Sequence, residues 1–214
     1  MTTTLAVDTS TVVAAAIAVD GRIVASARVD DTRAHAEELM PLVQRVAAEA
    51  GVALADVERI VAGVGPGPFT GLRVGVVTAL TLAEVLAVPV VGACSLDAVA
   101  AEWASAGAPE EFLVVSDARR KEVFWARYDG AGRRLSGPDV AAPDTLPALP
   151  LAGPGAHLVG AVTGPTQLDA GWLAAADLPD AGLEPLYLRR PDAEVPTRVK
   201  SALPQPRLSL RRTR

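Results

Sequence analysis

Three kinds of segment in this 214-residue chain have residue types and spacings suited to phosphate, metal or thiol chemistry. The first is Gly63 to Gly75, which reads GVGPGPFTGLRVG. It lies between the apolar run Arg59–Ala62 and a long helical pattern. Strand, glycine-rich turn and helix N-terminus is the layout that cradles phosphate, because amides converge and glycines admit close approach. No Lys-Ser or Lys-Thr pair follows the glycines, so this is not a Walker A loop. Pro66 and Pro68 also remove two amide donors. The same rigid turn can equally set a helix for docking another protein.

The second kind is an aspartate at the end of an apolar strand, and it occurs twice. Asp8-Thr9-Ser10-Thr11 follows Leu5-Ala6-Val7, and Asp117-Ala118-Arg119-Arg120 follows Phe112 to Val115. The third kind is the set of lone ligands and nucleophiles. His35 has no histidine four residues on, where the same helix face would need one, since position 39 is leucine. The other histidine, His157, lies in a distant segment. Cys94 precedes Ser95-Leu96-Asp97, which reads as a helix start that would lower a thiol pKa. With no histidine nearby and an apolar run before it, Cys94 reads better as a small buried residue. Asp97 and Glu102 read as first-turn and solvent-facing helix charges, and Arg119, Arg120 and Lys121 as a charged turn.

These residues need elements to hold them. A helical pattern runs from Thr70 to Leu86 and stops before Val88-Pro89. Apolar residues surround its axis, leaving only a thin polar line of Thr70, Arg73, Thr81 and Glu84. At roughly 26 Å it is slightly short for a membrane span. Its burial is expected either in a central core or partly under a partner. A second helix is expected over 33–50, ending at Gly51, with Leu39, Leu42, Val43, Val46 and Ala50 on one face and a kink at Pro41. Together the two helices offer more apolar surface than one core requires, which suggests a helix-pair interface.

Half the residues are apolar, so a substantial core is available. The single cysteine fits a reducing compartment, and Met1-Thr2-Thr3-Thr4 has no basic leader pattern. Residues 197–214 hold six of the 20 Lys/Arg and none of the 25 Asp/Glu. The rest of the chain therefore has 14 basic against 25 acidic residues, a poor nucleic-acid surface. The tail's composition predicts disorder. The two strand-aspartate segments are each followed 12 residues later by an Asp-Gly pair, Asp20-Gly21 and Asp129-Gly130, a hairpin signal that points to internal duplication.

A strand-Asp-turn-strand unit heading each half-chain resembles the actin-like ATPase (ASKHA, ribonuclease H-like) α/β fold, in two lobes. In that family the first hairpin's Asp-x-Gly-Thr wraps phosphates and Mg²⁺. Here the glycine is missing from both copies. The second half also holds 12 of the 17 prolines, counted from Pro138. The candidate adenosine loops, Gly153-Pro154-Gly155 and Gly160 to Pro165, are interrupted by prolines. The expected lobes are 1–107 with the interface helices, a reduced 108–185, a closing segment 186–196 and the tail 197–214.

The resemblance narrows with five blocks: LAVDTS at 5–10, HAEELMP at 35–41, GPGPFTGLRVG at 65–75, DARRKEVF at 117–124 and PLYLR at 185–189. In this order they resemble the bacterial TsaB (YeaZ-type) family over about residues 3–196. That resemblance implies a non-catalytic cytoplasmic subunit of the machinery making N6-threonylcarbamoyladenosine at position 37 of ANN-decoding tRNAs. It implies pairing with the catalytic paralogue TsaD, joining by the ATPase TsaE, homodimers when alone, indirect contact with tRNA and no membrane. No catalytic or metal residue and no required cofactor is implied, with weak ATP or ADP binding at the partner interface left open.

The expected interface comprises His35, Glu38, Leu39, Leu42, Val46, Pro66, Gly67, Pro68, Phe69, Thr70, Gly71, Leu72, Arg73, Val74, Val77 and Thr81. A vestigial nucleotide site would comprise Asp8, Thr9, Ser10 and Asp117. The alternative is an actin-like ATPase or kinase using Asp8, Thr9 and Asp117 around Mg-ATP. A further one is a glycoprotease-like peptidase, since relatives have been so labelled and Glu37-Glu38 stand beside His35. The missing glycines favour the scaffold.

Overall fold

The computed structural model describes residues 1–30 and 35–189, without the side chains of His35 and Ala36. The expectations for the 197–214 tail and for the His35 side chain lie outside that description, as do residues 190–196.

Five strands form the first sheet in the order β3-β2-β1-β4-β5: β1 Thr3–Asp8, β2 Val13–Val19, β3 Arg22–Val29, β4 Arg59–Gly63 and β5 Val90–Ala93. β1 pairs antiparallel with β2 and parallel with β4. As the central strand it is covered on both faces, which is why it reads as a continuous apolar run. Its alternation sorts the core. Leu5 and Val7 join Val13, Ala15 and Ile17 on one face, under helices α1 (His35–Ala50) and α2 (Phe69–Leu86). Ala6 and Ala18 point to the other face, with Ala98 of α3 (Ser95–Ser105) and Leu173 and Ala174 of α4 (Ala170–Ala175). Alanines on that second face let α4 lie close to the sheet.

The second sheet has the order β8-β7-β6-β9: β6 Glu111–Arg119, β7 Glu122–Asp129, β8 Arg134–Ala141 and β9 Leu151–Ala152. It repeats the first: an antiparallel three-strand unit whose first strand also takes a parallel neighbour. The turns differ. Asp20 and Gly21, with φ 48° and 72°, form a tight two-residue turn. Asp129 instead closes a longer loop, accepting at its carboxylate from the Ala131 and Arg133 amides. Among the described residues no α-helix lies between α3 and α4, in keeping with the proline content.

Strands β1–β5 fall within residues 1–107 and β6–β9 within 108–185. α4, expected in the second lobe, packs on the first sheet, and its N-cap Asp169 is bonded to Ser26 of β3. The second lobe as a packing unit therefore ends before Asp169. The lobes also share a core, where Ala14 and Ala16 meet Cys94, Trp103, Phe112, Val114 and Tyr128.

Two sequence readings need correction here. Leu39, Leu42, Val46 and Leu72, expected at the interface, are all at most 2% exposed, and the first three fill the core above β1 and β2. The outward residues of α1 are instead mostly polar: Glu37, Pro41, Gln44, Arg45, Ala48 and Glu49. Asp97, expected as a solvent-facing charge, is 2% exposed. Its Oδ1 accepts from the Tyr128 hydroxyl at 2.7 Å, and its Oδ2 lies 3.4 Å from Arg134 Nη2. Burial raises the Asp97 pKa above the ordinary carboxylate value, against the pull of Tyr128 and Arg134. Burial similarly pushes the Cys94 thiol up to about 12, with the Asp97 charge adding to it, so Cys94 is an inert core residue.

A carboxyl whose folded pKa is raised binds more protons folded than unfolded. Its ionisation therefore opposes folding as pH rises from the unfolded value, near 4, through the raised folded value. Asp97→Asn keeps the acceptor for Tyr128 without that penalty. Urea unfolding from pH 4 to pH 7 should show the variant gaining stability relative to wild type as pH rises. A pH-independent difference would mean that Arg134 neutralises the cost.

Candidate functional site

The glycine-rich turn and the first strand-aspartate converge at the C-terminal end of the β1–β4 pair. Asp8, Thr9 and Ser10 are 0–2% exposed. Asp8 Oδ1 accepts from the Ser10 amide at 2.7 Å and from the Ser10 hydroxyl at 2.6 Å. Its Oδ2 accepts from the Ser95 hydroxyl at the start of α3. Ser95 in turn accepts from the Gly65 amide at 3.1 Å, and its own amide donates to the Gly65 carbonyl at 2.8 Å. The glycine turn, the aspartate and α3 are thus one buried hydrogen-bonded unit. Ser95 was not singled out from sequence, although a serine directly after an apolar strand and opening a helix was the available signal.

Close approach explains two glycines. A Cβ on Gly63 would stand 1.8 Å from Asp8 Oδ2, and one on Gly67 would stand 2.6 Å from the Ser10 carbonyl oxygen. The space that glycines keep open for phosphate in a nucleotide loop is occupied here by the chain's own Asp8–Ser10 segment.

Thr9 reaches further, into α2. Its hydroxyl donates to the Gly71 carbonyl at 2.7 Å and accepts from the Gly75 amide at 3.0 Å. Those two groups are the i, i+4 pair that an α-helix joins to itself. The hydroxyl comes this near because position 75 lacks a side chain, whose Cβ would lie 2.4 Å from it.

The second aspartate is placed differently. Asp117 is half-buried and serves its own hairpin: Oδ1 accepts from the Arg119 amide at 2.7 Å, and Oδ2 pairs with Arg119 Nη1 at 3.0 Å. The Gly153-Pro154-Gly155 turn packs against the backbone of Val115 to Asp117. Asp8 and Asp117 are thus equivalent in topology but differ in partners, Asp8 accepting from Ser10 and from Ser95 of α3, and Asp117 from Arg119 of its own hairpin. His157 is exposed.

The outer side of α2 is a different kind of surface. At 18 residues, one more than the sequence pattern gave, the helix reaches the length and apolar composition of a membrane span, a test that a core helix also passes. Its Gly71, Leu72, Gly75, Val76, Ala79 and Ala83 are buried against the first sheet. At 100° per residue the remaining arc carries Phe69, Thr70, Arg73, Val77, Leu80, Thr81, Glu84 and Val85, all exposed, and Val74, half-buried. Phe69, Val77, Leu80 and Val85 are 38, 58, 41 and 74% exposed. Of the remaining expected interface residues, Pro68 is exposed, Gly67 and Glu38 are partly so, and Pro66 and Gly71 are buried.

At the N-terminal end of this arc, Arg73 lies over the Phe69 ring, its guanidinium carbon 3.9 Å from the centroid. Its Nε donates to the Tyr187 hydroxyl at 3.0 Å, and the Tyr187 and Phe69 rings are 4.8 Å apart. Tyr187 belongs to a C-terminal strap. The Leu186 amide donates to the Val64 carbonyl at 2.9 Å. Arg189 donates to the Ala118 carbonyl at 2.8 Å and pairs with Glu122. No periodicity marks Tyr187 as a neighbour of Phe69, which is 118 residues away.

Comparison with known proteins points the same way. A family model described as TsaD, tRNA N6-adenosine threonylcarbamoyltransferase, matches residues 28–172. An uncharacterized protein of Mycobacterium tuberculosis is 43% identical over 206 residues, covering 91% of this chain and 95% of that protein. The Escherichia coli tRNA threonylcarbamoyladenosine biosynthesis protein TsaB is 37% identical over 97 residues, 45% of this chain and 42% of that protein. The match thus spans less than half of that relative. Among solved structures, YeaZ from Pseudomonas aeruginosa superposes with a TM-score of 0.66 at 32% identity, covering 81% of this chain and 89% of that one.

If the Thr9 hydroxyl clamps α2, Thr9→Val should cost about 1–3 kcal/mol in urea unfolding, because buried partners lose their hydrogen bonds. Thr9→Ser, which keeps the hydroxyl, should stay close to wild type. Equal stability of all three proteins would show that the clamp contributes nothing.

Proposed function

The chain belongs to the TsaB (YeaZ-type) family, with its actin-like ATPase fold, and from that premise we propose that it is a non-catalytic docking subunit. In this reading it pairs with a TsaD-type catalytic subunit in the cytoplasmic machinery that makes N6-threonylcarbamoyladenosine at position 37 of tRNA. TsaE joins that pair, tRNA is met through the complex, and the chain forms homodimers when alone. The observation that carries the reading is the outer arc of α2. Three large apolar side chains in one stripe, Phe69, Val77 and Leu80, with Val85 beside them, stand exposed on a helix whose other side is core. The docking contacts are then Phe69, Thr70, Arg73, Val74, Val77, Leu80, Thr81 and Val85, with Pro68 at the rim.

The same reading leaves the chain without catalytic work. The groups that would meet Mg-ATP in an actin-like enzyme are Asp8, Thr9 and Asp117, and each is engaged within the protein. A nucleotide would have to displace the Asp8–Ser95–Gly65 unit to reach the β1 end. Titration calorimetry of the purified chain with Mg-ATP should therefore show no micromolar site. Micromolar binding accompanied by turnover would favour the ATPase reading instead.

Reconstitution tests the main proposal. With TsaD, TsaE and the adenylate-forming enzyme, adding this chain should raise threonylcarbamoyl transfer to tRNA. Val77→Glu, at a position 58% exposed, should abolish co-elution with TsaD while the far-UV spectrum stays native. Transfer that proceeds equally with or without the chain would overturn the proposal. Unfolding of Val77→Glu would mean that the α2 arc belongs to the core.

A further inference from the structure

We infer that the β6–β7 turn and the basic sequence following Arg189 form one contact site for the phosphodiester backbone of RNA. The inference rests on the docking reading above and adds to it a direct hold by this chain on the RNA that its partner acts on.

Charge is the first support. Residues 117–122 and 189–214 together hold 11 of the 20 Lys/Arg and four of the 25 Asp/Glu. The rest of the chain has nine basic residues against 21 acidic ones. The fold brings the two basic stretches to one corner. Arg189 donates to the Ala118 carbonyl at 2.8 Å and pairs with Glu122, so residues 190–214 continue from beside the turn. The two acids of the turn are each engaged by a cation, Asp117 by Arg119 and Glu122 by Arg189. With Arg120 and Lys121 the cluster keeps a net positive charge. The Arg119 side chain is 73% exposed, and an ion pair that open to water contributes little and can exchange for phosphate. The acidic remainder repels a polyanion, which confines the contact to this corner.

The backbone of the turn is the second support. Arg119, Arg120 and Lys121 have φ of 63°, 54° and 62°. Glycine or asparagine is the usual occupant of that left-handed region, because a Cβ crowds the backbone there. Three successive long cations are held in it instead, and all three are exposed. The matching turn of the first sheet, with Thr9 and Ser10, is buried. Position is the third support. Tyr187, bonded to Arg73 at the start of the α2 arc, is two residues from Arg189, a span of at most about 7 Å. The corner therefore borders the docking face, and an RNA engaged by a subunit docked on α2 has it alongside.

The test is the fluorescence anisotropy of a labelled tRNA transcript titrated with the full chain, alone and paired with TsaD, between about 50 and 200 mM salt. Arg120→Asn with Lys121→Asn removes two cations and keeps a residue type that tolerates the left-handed backbone. This variant should bind tRNA about tenfold more weakly, and its slope of log K against log salt should fall by about 1–2. Arg211→Ser with Arg212→Ser should lower affinity and slope in the same way. Arg22→Gln with Arg59→Gln, which takes two exposed cations from the acidic remainder, should stay within about twofold of wild type. The inference is overturned by a wild-type chain that binds no tRNA alone or paired, by a turn variant that binds as wild type does, or by equal losses in the Arg22 and Arg59 control. A turn variant that binds tRNA normally but no longer co-elutes with TsaD also overturns it, and makes the corner a protein contact. In the first three cases, co-elution of TsaD with the wild-type chain leaves the docking reading standing. Failure of that co-elution removes the docking reading, while the titration of the chain alone still decides the RNA contact.

Discussion

The Thr9 hydroxyl, set between the Gly71 carbonyl and the Gly75 amide, is the contact on which the rest of the arrangement depends. It ties the end of the central strand to the second turn of α2. With Asp8 bonded to Ser95, and Ser95 to Gly65, it fixes the glycine turn from both sides. Each member requires a neighbour of restricted size. Gly63 makes room for the Asp8 carboxylate, and Gly75 makes room for the Thr9 hydroxyl. A buried polar network of this kind is stabilising only when its members are satisfied. Here the donors and acceptors are supplied by the protein itself.

That constraint connects the fold to the proposed role. The resemblance to actin-like enzymes implies a first hairpin whose aspartate and threonine meet a nucleotide's phosphates. In this chain they are bonded within the protein, and the product is a rigidly mounted helix. Half of α2 is sealed by the sheet, while the opposite half presents Phe69, Val77 and Leu80 to solvent. The strap extends the mounting. Leu186 holds to the glycine turn, Tyr187 to Arg73, and Arg189 to the β6–β7 hairpin, so the second sheet braces the first through a short run of chain. The second lobe, without α-helices of its own among the described residues, contributes through that brace and through the shared core around Phe112 and Tyr128.

The sequence reported some of this and concealed the rest for identifiable reasons. Strand β4, the glycine turn and α2 were legible because apolar runs, glycines and the Val88-Pro89 stop act locally. The paired strand-aspartate units were legible because duplication leaves an equal spacing. The partition of α2 between core and surface was not legible. A helix apolar on nearly every side has no polar arc to mark its outer face, so only the sheet beneath it decides. The same ambiguity assigned Leu72 to an interface, whereas Leu39, Leu42 and Val46 lie on α1, where the polar residues Gln44, Arg45 and Glu49 did mark the outer face; all four are buried. Asp97 was misread because its partners, Tyr128 and Arg134, lie on β7 and β8, more than 30 residues away. Tyr187 was missed for the same reason. Contacts made by tertiary folding leave no periodicity in either partner.

Hydrogen–deuterium exchange of the chain, alone and mixed with TsaD, tests the central claim most directly. If Asp8, Thr9 and Ser95 serve to mount a docking helix, added TsaD should slow exchange in α2 and in the 185–189 strap. The second sheet's outer strand β8 should exchange as before. Protection centred on β8 or on the β6–β7 hairpin, with α2 unchanged, would contradict the account.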